Sequence, residues 1–325
     1  MNRKSPVSGS DVSKHIRRLI GRHLVDERIR RLTVDTGHDA EFNAYFLYPA
    51  FRNGKPTVGP LIEMLMGEIT AFCIAKEERR KAKLADKNLP YDAPAMDRLA
   101  RRARRLFMDA RQNQSRSGEG GELLLFVLIE HFLQAPIVLS KMRLKTNANM
   151  PVHGTDGVHA FWDDERNTLV TVFGESKLHK SFSSAVADAA ESLEEFVKNV
   201  GGRYDHELLL TLNHIDLDGF PNDIKEYLIK FLNPFETEEG NRRLERFAVL
   251  VGFDAKQYNE VASLSLQEAE EKFRQLYESG AKKAIGTASS NLSTRGIDLA
   301  SVDLFMFPIP SVDDFRSQFE RALSE

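Results

Sequence analysis

The chain has 325 residues, 42% of them hydrophobic, and a formal charge of −3, which is enough for one large domain or two small ones with a full core. Cys73 is the only cysteine, so an intrachain disulfide and a cysteine-built zinc site are excluded and a reducing cytoplasm fits. No apolar run approaches the roughly 18 residues of a membrane span, and the N-terminus carries no hydrophobic leader, so membrane insertion is not expected.

The small net charge hides an asymmetry. Residues 1–116 hold 24 Lys and Arg against 14 Asp and Glu (+10), and residues 117–325 hold 21 against 34 (−13). A basic half beside an acidic half suggests one surface for nucleic acid and another for a metal or a protein partner.

Val12, Ile16, Ile20 and Leu24 recur at helical spacing, which predicts a helix over 11–32. Residues 36–58 mix Gly, Pro and aromatics and are ambiguous. The stripe Leu61, Met64, Leu65, Ile69, Phe72 and Cys73 predicts one long helix over 59–84. A linker at 88–94 precedes a basic helix over 95–113, on which Arg98, Arg101, Arg102 and Arg105 share a broad face. Arginines so placed can clamp phosphates without reading sequence, or can face solvent or a partner. The flexible run QSRSGEGG, residues 114–121, marks a boundary between a basic, mainly helical N-terminal region (1–116) and a second domain (117–325).

Glu122 opens an apolar helix running to Leu133, which should be buried. A first strand is expected over 136–145 and an amphipathic helix over 181–199, with Phe182, Val186, Ala190, Leu193 and Val197 on one stripe. Helical inserts follow near 205–245. The apolar run 247–253 reads as a core strand, with a helix near 265–285, a strand over 304–310 and a closing helix over 312–324.

Between these elements lies GTDGVHAFWDDERNTLVTVFGESKLHK, residues 154–180, which predicts a β-hairpin turning near Glu165. That register sets Asp156 opposite Gly174, one residue from Glu175, and strand alternation points Glu175 and Lys177 the same way. Two carboxylates and an ammonium so gathered suit metal-assisted phosphodiester hydrolysis. Asp156 and Glu175 would hold Mg²⁺ or Mn²⁺, and Lys177 would orient or deprotonate a bound water or contact the phosphate. Two alternatives stand beside this. The hairpin end can be a surface pair worth little, and His153, Asp156 and His159 could form a two-histidine, one-carboxylate metal site, although His159 should point away from Asp156. No phosphate-binding loop, dinucleotide glycine pattern or Gly-x-Ser-x-Gly elbow is present.

Asp156 and, nineteen positions on, Glu175-Ser176-Lys177 resemble the core motif of PD-(D/E)xK nucleases. With Gly121-Glu122 opening an apolar helix and the segment Gly154-Thr155-Asp156-Gly157-Val158-His159, their order resembles the HamA/AbpA-type family, the nuclease effector of the Hachiman anti-phage system. The resemblance covers roughly residues 115–325. It implies a restriction-endonuclease-like α/β core of order αβββαβ, a mixed sheet flanked by helices, to which the helical N-terminal region and inserts are added. It further implies metal-dependent DNA cleavage with little sequence preference and a superfamily 2 helicase partner (HamB-like) that holds the nuclease in check. By the same resemblance Asp156 and Glu175 are metal ligands, the Ser176 backbone carbonyl is a further ligand, Lys177 is the catalytic lysine and Glu122 is the helix acid. The competing expectations are a non-catalytic nucleic-acid- or helicase-binding subunit on a degenerate nuclease fold, and an interaction protein that docks through its arginine helix.

Overall fold

The computed structural model describes residues 8–34, 42–89, 91–112, 118–140, 155–198, 217, 220–233, 235–237 and 243–325. Its centre is a seven-stranded mixed sheet of order β1-β2-β9-β8-β7-β6-β5, formed by β1 (Ile29–Leu32), β2 (Asn43–Pro49), β5 (Ile137–Ser140), β6 (Gly157–Asp163), β7 (Thr168–His179), β8 (Arg243–Asp254) and β9 (Val302–Ile309). The short strands β3 (Phe51–Arg52) and β4 (Lys55–Pro56) form a separate hairpin. β7, β8, β9 and β2 run parallel, while the hairpin β6–β7, β5 and β1 pair antiparallel.

The parallel strands are nearly continuous apolar runs, as expected where both faces are covered by helices. One face carries Leu169, Phe173, Phe247, Val249 and Val251 against α7 (Phe182–Lys198), with α1 (Gly9–Arg17), α8 (Asn222–Leu232), α9 (Gln257–Val261) and α10 (Glu268–Ser293) in the same apolar layer. The other face carries Val170, Val172, Ala248 and Leu250 against α6 (Glu119–Leu128). Beyond α6 lie α2 (Val25–Arg28), α3 (Val58–Cys73), α4 (Lys76–Ala85), α5 (Pro94–Gln112) and α11 (Val312–Ser324). The run α6, β5, β6, β7, α7, β8 follows the expected order of one helix, three strands, a helix and a strand, with α8 inserted between α7 and β8 in the region where helical inserts were expected.

Several expectations are corrected. The predicted helix over 11–32 is two short helices followed by β1. Ile29 and Leu32 are buried, while Arg30 and Arg31 face out on an edge strand. The ambiguous stretch 36–58 supplies β2, inserted beside β9. The N-terminal region is therefore not simply helical, and the sheet crosses the boundary expected at 116/117. The long helix over 59–84 is two helices bent by 102° at extended Ile74. The first expected strand is described as Ile137–Ser140, and 141–145 lie outside the described residues, as does 205–216 of the helical inserts expected near 205–245, whose described part holds α8. Helix α6 begins at Glu119 rather than Glu122 and runs into a π-helical turn, Ile129–Leu133. Among the described residues no single helix is long and apolar enough to cross a membrane.

A buried polar hub ties this turn to the N-terminal segment. The Glu130 carboxylate, 2% exposed, accepts from Gly21 N (2.7 Å) and Ile137 N (3.0 Å) and pairs with His23 Nε2 at 2.9 Å. His23 Nδ1 lies 3.0 Å from Glu68 Oε2. Burial pulls the imidazole down, but the hydrogen bonds and charges of Glu130 and Glu68 outweigh it and raise His23 from 6.5 to about 9.

Candidate active site

The turn of the β6–β7 hairpin is set by Asp163, whose Oδ1 accepts from Glu165 N and Arg166 N (2.9 and 3.0 Å), and by Asn167 at φ 49°. The register pairs Asp163 with Thr168 and Gly157 with Gly174. Asp156 therefore comes opposite Glu175, one residue from the predicted pairing with Gly174, and its N–H donates to Gly174 O at 2.9 Å.

Beyond Gly157 the β6 strand ends, and β7 continues with one edge no longer covered by β6. Asp156 fills that edge: its Oδ2 accepts from Ser176 N (2.9 Å) and Ser176 Oγ (2.8 Å). Glu175 Oε1 lies 2.8 Å from Lys177 Nζ, with the two side chains 12% and 27% exposed. Ser192 of α7 also hydrogen-bonds Glu175. Burial and then the negative charge of Asp156 push the Glu175 carboxyl up, against the pull of Lys177. Burial alone would lower the Lys177 ammonium, but Glu175 and Asp156 outweigh it and raise it.

The structure thus brings Asp156, Glu175 and Lys177 together at one edge of the central sheet. Glu122 is buried on α6, on the opposite face of the sheet, next to Gly121, whose Cβ position would lie 3.3 Å from Ser176 Oγ. Ser176 contributes its N–H and hydroxyl as the holder of Asp156, a role the sequence does not announce. Ser192, which hydrogen-bonds Glu175, is likewise not announced as a site residue. For Ser192 a signal exists: Asp188 and Ser192 repeat at i, i+4 beside the small residues Ala185 and Ala189 that let α7 approach β7.

The two-histidine alternative is not supported. His153 lies outside the described residues, and His159, 2% exposed, is engaged through Nδ1 with Ala135 O at 2.8 Å. Burial holds its imidazole down to about 4, so it is neutral. Of the four arginines, Arg102 is taken by Glu78 in a bidentate pair of 2.7 and 3.0 Å. Arg98, Arg101 and Arg105 are exposed, and no ion pair engages them among the described residues.

Among the described residues no three His, Cys, Asp or Glu side chains gather into a metal cage. The donors present are two carboxylates at an accessible edge. Mg²⁺ ordinarily takes this kind of set, one or two carboxylates plus water and substrate phosphate. The partly buried Glu175 carboxylate feels the negative charge of Asp156 beside it. The residues fit the metal. In comparison with known proteins, the family model described as HamA matches residues 22–323. No curated protein matches the chain.

Proposed function

The chain belongs to the HamA family and so is a component of a Hachiman defence system, and we propose that it is that system's metal-dependent, largely sequence-nonspecific DNA nuclease, with a PD-(D/E)xK core. One observation carries the proposal: the hairpin register sets Asp156 opposite Glu175 while Lys177 pairs with Glu175 at 2.8 Å.

Asp156 and Glu175 would hold Mg²⁺ or Mn²⁺, with the Ser176 carbonyl as a third donor. The bound ion supplies an acidified water and offsets charge on the phosphate. Ser176 fixes the Asp156 carboxylate through two hydrogen bonds, which keeps it at the strand edge. Lys177 remains an ammonium at neutral pH because its partners raise it. It therefore serves as donor and point charge, orienting the attacking water and contacting a phosphate oxygen, rather than as the base. In the hydrolysis the water oxygen would bond to phosphorus and give up a proton to solvent, while the bond from phosphorus to the leaving sugar oxygen would break and that oxygen would take a proton from a solvent water to leave as a hydroxyl. Glu122 supports the site from the α6 side of the sheet.

The DNA backbone is proposed to run over α5, where Arg98, Arg101 and Arg105 recur at three- and four-residue spacing and make no ion pair among the described residues. The partner in this reading is a superfamily 2 helicase that restrains the nuclease. The test is cleavage of plasmid and linear DNA by the isolated chain and by its complex with the helicase and ATP. Each should be run with Mg²⁺, Mn²⁺ or EDTA and compared with Asp156→Asn. Cutting that needs the metal and is lost in the variant supports the proposal. Cutting that persists in EDTA or in Asp156→Asn removes it.

A further inference from the structure

The edge of β7 that β6 leaves bare can be followed group by group. Gly174 O accepts from Asp156 N, and Ser176 N donates to Asp156 Oδ2. Along a strand the backbone N–H and C=O groups turn to alternate edges. Gly174, Ser176 and Leu178 therefore present theirs to the bare edge, while Glu175 and Lys177 present theirs to β8. The pairing of β7 with β8 is unbroken through His179 and Phe253, so the alternation holds to the strand end. Leu178 O is thus the next carbonyl after Ser176 O on the edge that carries Asp156, about 6.6 Å further along.

A fixed cation occupies this position. Arg316 Nη2, from α11, donates to Leu178 O at 2.8 Å. The start of α11 is tied to the end of β8: Asp254 Oδ1 accepts from Val312 N at 2.6 Å, Ser311 Oγ accepts from Asp314 N at 3.1 Å, and Phe315 and Phe319 are buried. The Arg316 side chain is 30% exposed, and its Nη1 comes only within 3.9 Å of Asp313 Oδ1. The other oxygen of Asp313 is taken by Lys180 Nζ at 2.7 Å. No further ion pair engages Arg316 among the described residues. A carbonyl at an open edge can be satisfied by water. The guanidinium adds a permanent charge, and its planar fork keeps N–H donors beyond the one spent on Leu178.

We propose that Arg316, held by Leu178 O, is a substrate-binding residue that contacts a DNA backbone phosphate neighbouring the one at Asp156 and Glu175. This rests on the nuclease reading above and adds a second phosphate contact to it. Lys177 serves the site from the α7 side of β7, and Arg316 reaches the bare edge from α11. A polyanion passing along that edge meets the candidate metal position first and the guanidinium next.

The test compares wild type, Arg316→Ala, Arg316→Gln and Arg316→Lys in the full chain, with Lys177→Ala as the reference for lost chemistry. Arg274→Ala, which removes a surface charge from α10, is the control for the loss of one cation. For a short duplex with Mg²⁺, kcat, KM and the salt dependence of binding are measured, together with Tm. Arg316→Ala should raise KM about tenfold while kcat changes less than about threefold. Its log–log salt slope should fall by about one, the signature of one lost phosphate contact. Arg316→Gln, neutral but still a donor, should behave like Arg316→Ala and carries the comparison if the alanine variant does not fold. Arg316→Lys should keep the slope and recover most of KM, and Arg274→Ala should match wild type. The proposal is overturned if the neutral variants keep the wild-type KM and slope, if they lose activity only in step with Tm, or if Arg274→Ala lowers the slope as much. Arg316 is then only a cap on a strand-edge carbonyl, and loss of cutting in Lys177→Ala leaves the nuclease reading standing. If the wild type does not cut DNA, both fall together.

Discussion

Replacing Glu130 by Gln tests how the polar hub holds α6 in place. The carboxylate faces two backbone N–H groups and the His23 ring, and both side chains are almost fully buried (2% and 1% exposed). A neutral amide of the same shape keeps at most part of the hydrogen bonding and leaves His23 with Glu68 as its remaining acid. Breaking a buried charge pair by removing one partner costs about 3–5 kcal/mol. The raised His23 value is of the same order: a move from 6.5 to about 9 corresponds to roughly 3 kcal/mol of net stabilisation of the charged ring by Glu130 and Glu68 together, after the opposing burial.

The sign follows from linkage. His23 is raised on folding, so its contribution is fully present below pH 6.5 and is lost as pH climbs through about 9. Glu130 is lowered: burial pushes its carboxyl up, but His23 and the two N–H groups outweigh it. Its contribution is thus present above the ordinary carboxylate value of 4.5 and lost as pH falls through the folded one. Urea unfolding between pH 6 and 10 should show wild-type stability falling over the upper part of this range, with m unchanged. Glu130→Gln should be about 3–4 kcal/mol less stable at pH 6, with a flattened alkaline decline. A loss under about 1 kcal/mol at pH 6, or an alkaline decline as steep as in wild type, would refute the reasoning.

Two further outcomes follow from the same geometry. A Cβ at Gly121 would sit 2.3 Å from Leu178 Cδ1, between α6 and β7, so Gly121→Ala should cost about 1–3 kcal/mol in urea unfolding. It should also slow cleavage by displacing Ser176, and adding Leu178→Ala should recover part of the stability. On α5, Arg105→Ala should lower the salt slope of DNA binding by about one, while Arg102→Ala, whose guanidinium is held by Glu78, should leave it nearly unchanged.

The parts of the fold legible in the sequence are those whose signal is local. The hairpin, β8 and β9 announce themselves through β-branched and aromatic runs, and α11 through its apolar spacing. Where tertiary packing overrides local pattern, the sequence misleads. Apolar residues at helical spacing through Leu24 hide the edge strand β1, whose two outward arginines look like a solvated helix face. No proline or glycine marks the bend at Ile74. The one-residue shift in hairpin register follows from the Asp163 turn, which periodicity cannot locate to the residue. At the site, Asp156, Glu175 and Lys177 could be read because the register of a single hairpin brings them together. The i, i+4 pair Asp188 and Ser192 carries a local signal, but which strand it faces is set only when α7 packs on β7, and the capture of Arg102 by Glu78 joins α4 and α5 across the 88–94 linker, a pairing that no local pattern specifies.

The most direct measurement is cleavage of linear duplex DNA with Mg²⁺ by wild type, Glu175→Ala and Lys177→Ala, alongside DNA binding by all three. If Asp156, Glu175 and Lys177 form the reacting centre, both variants should lose at least about a hundredfold in rate while binding DNA within a few-fold of wild type. Variants that cut as fast as the wild type would contradict the assignment. A wild type that binds DNA and the helicase but cuts with neither metal would mark the chain as a binding subunit.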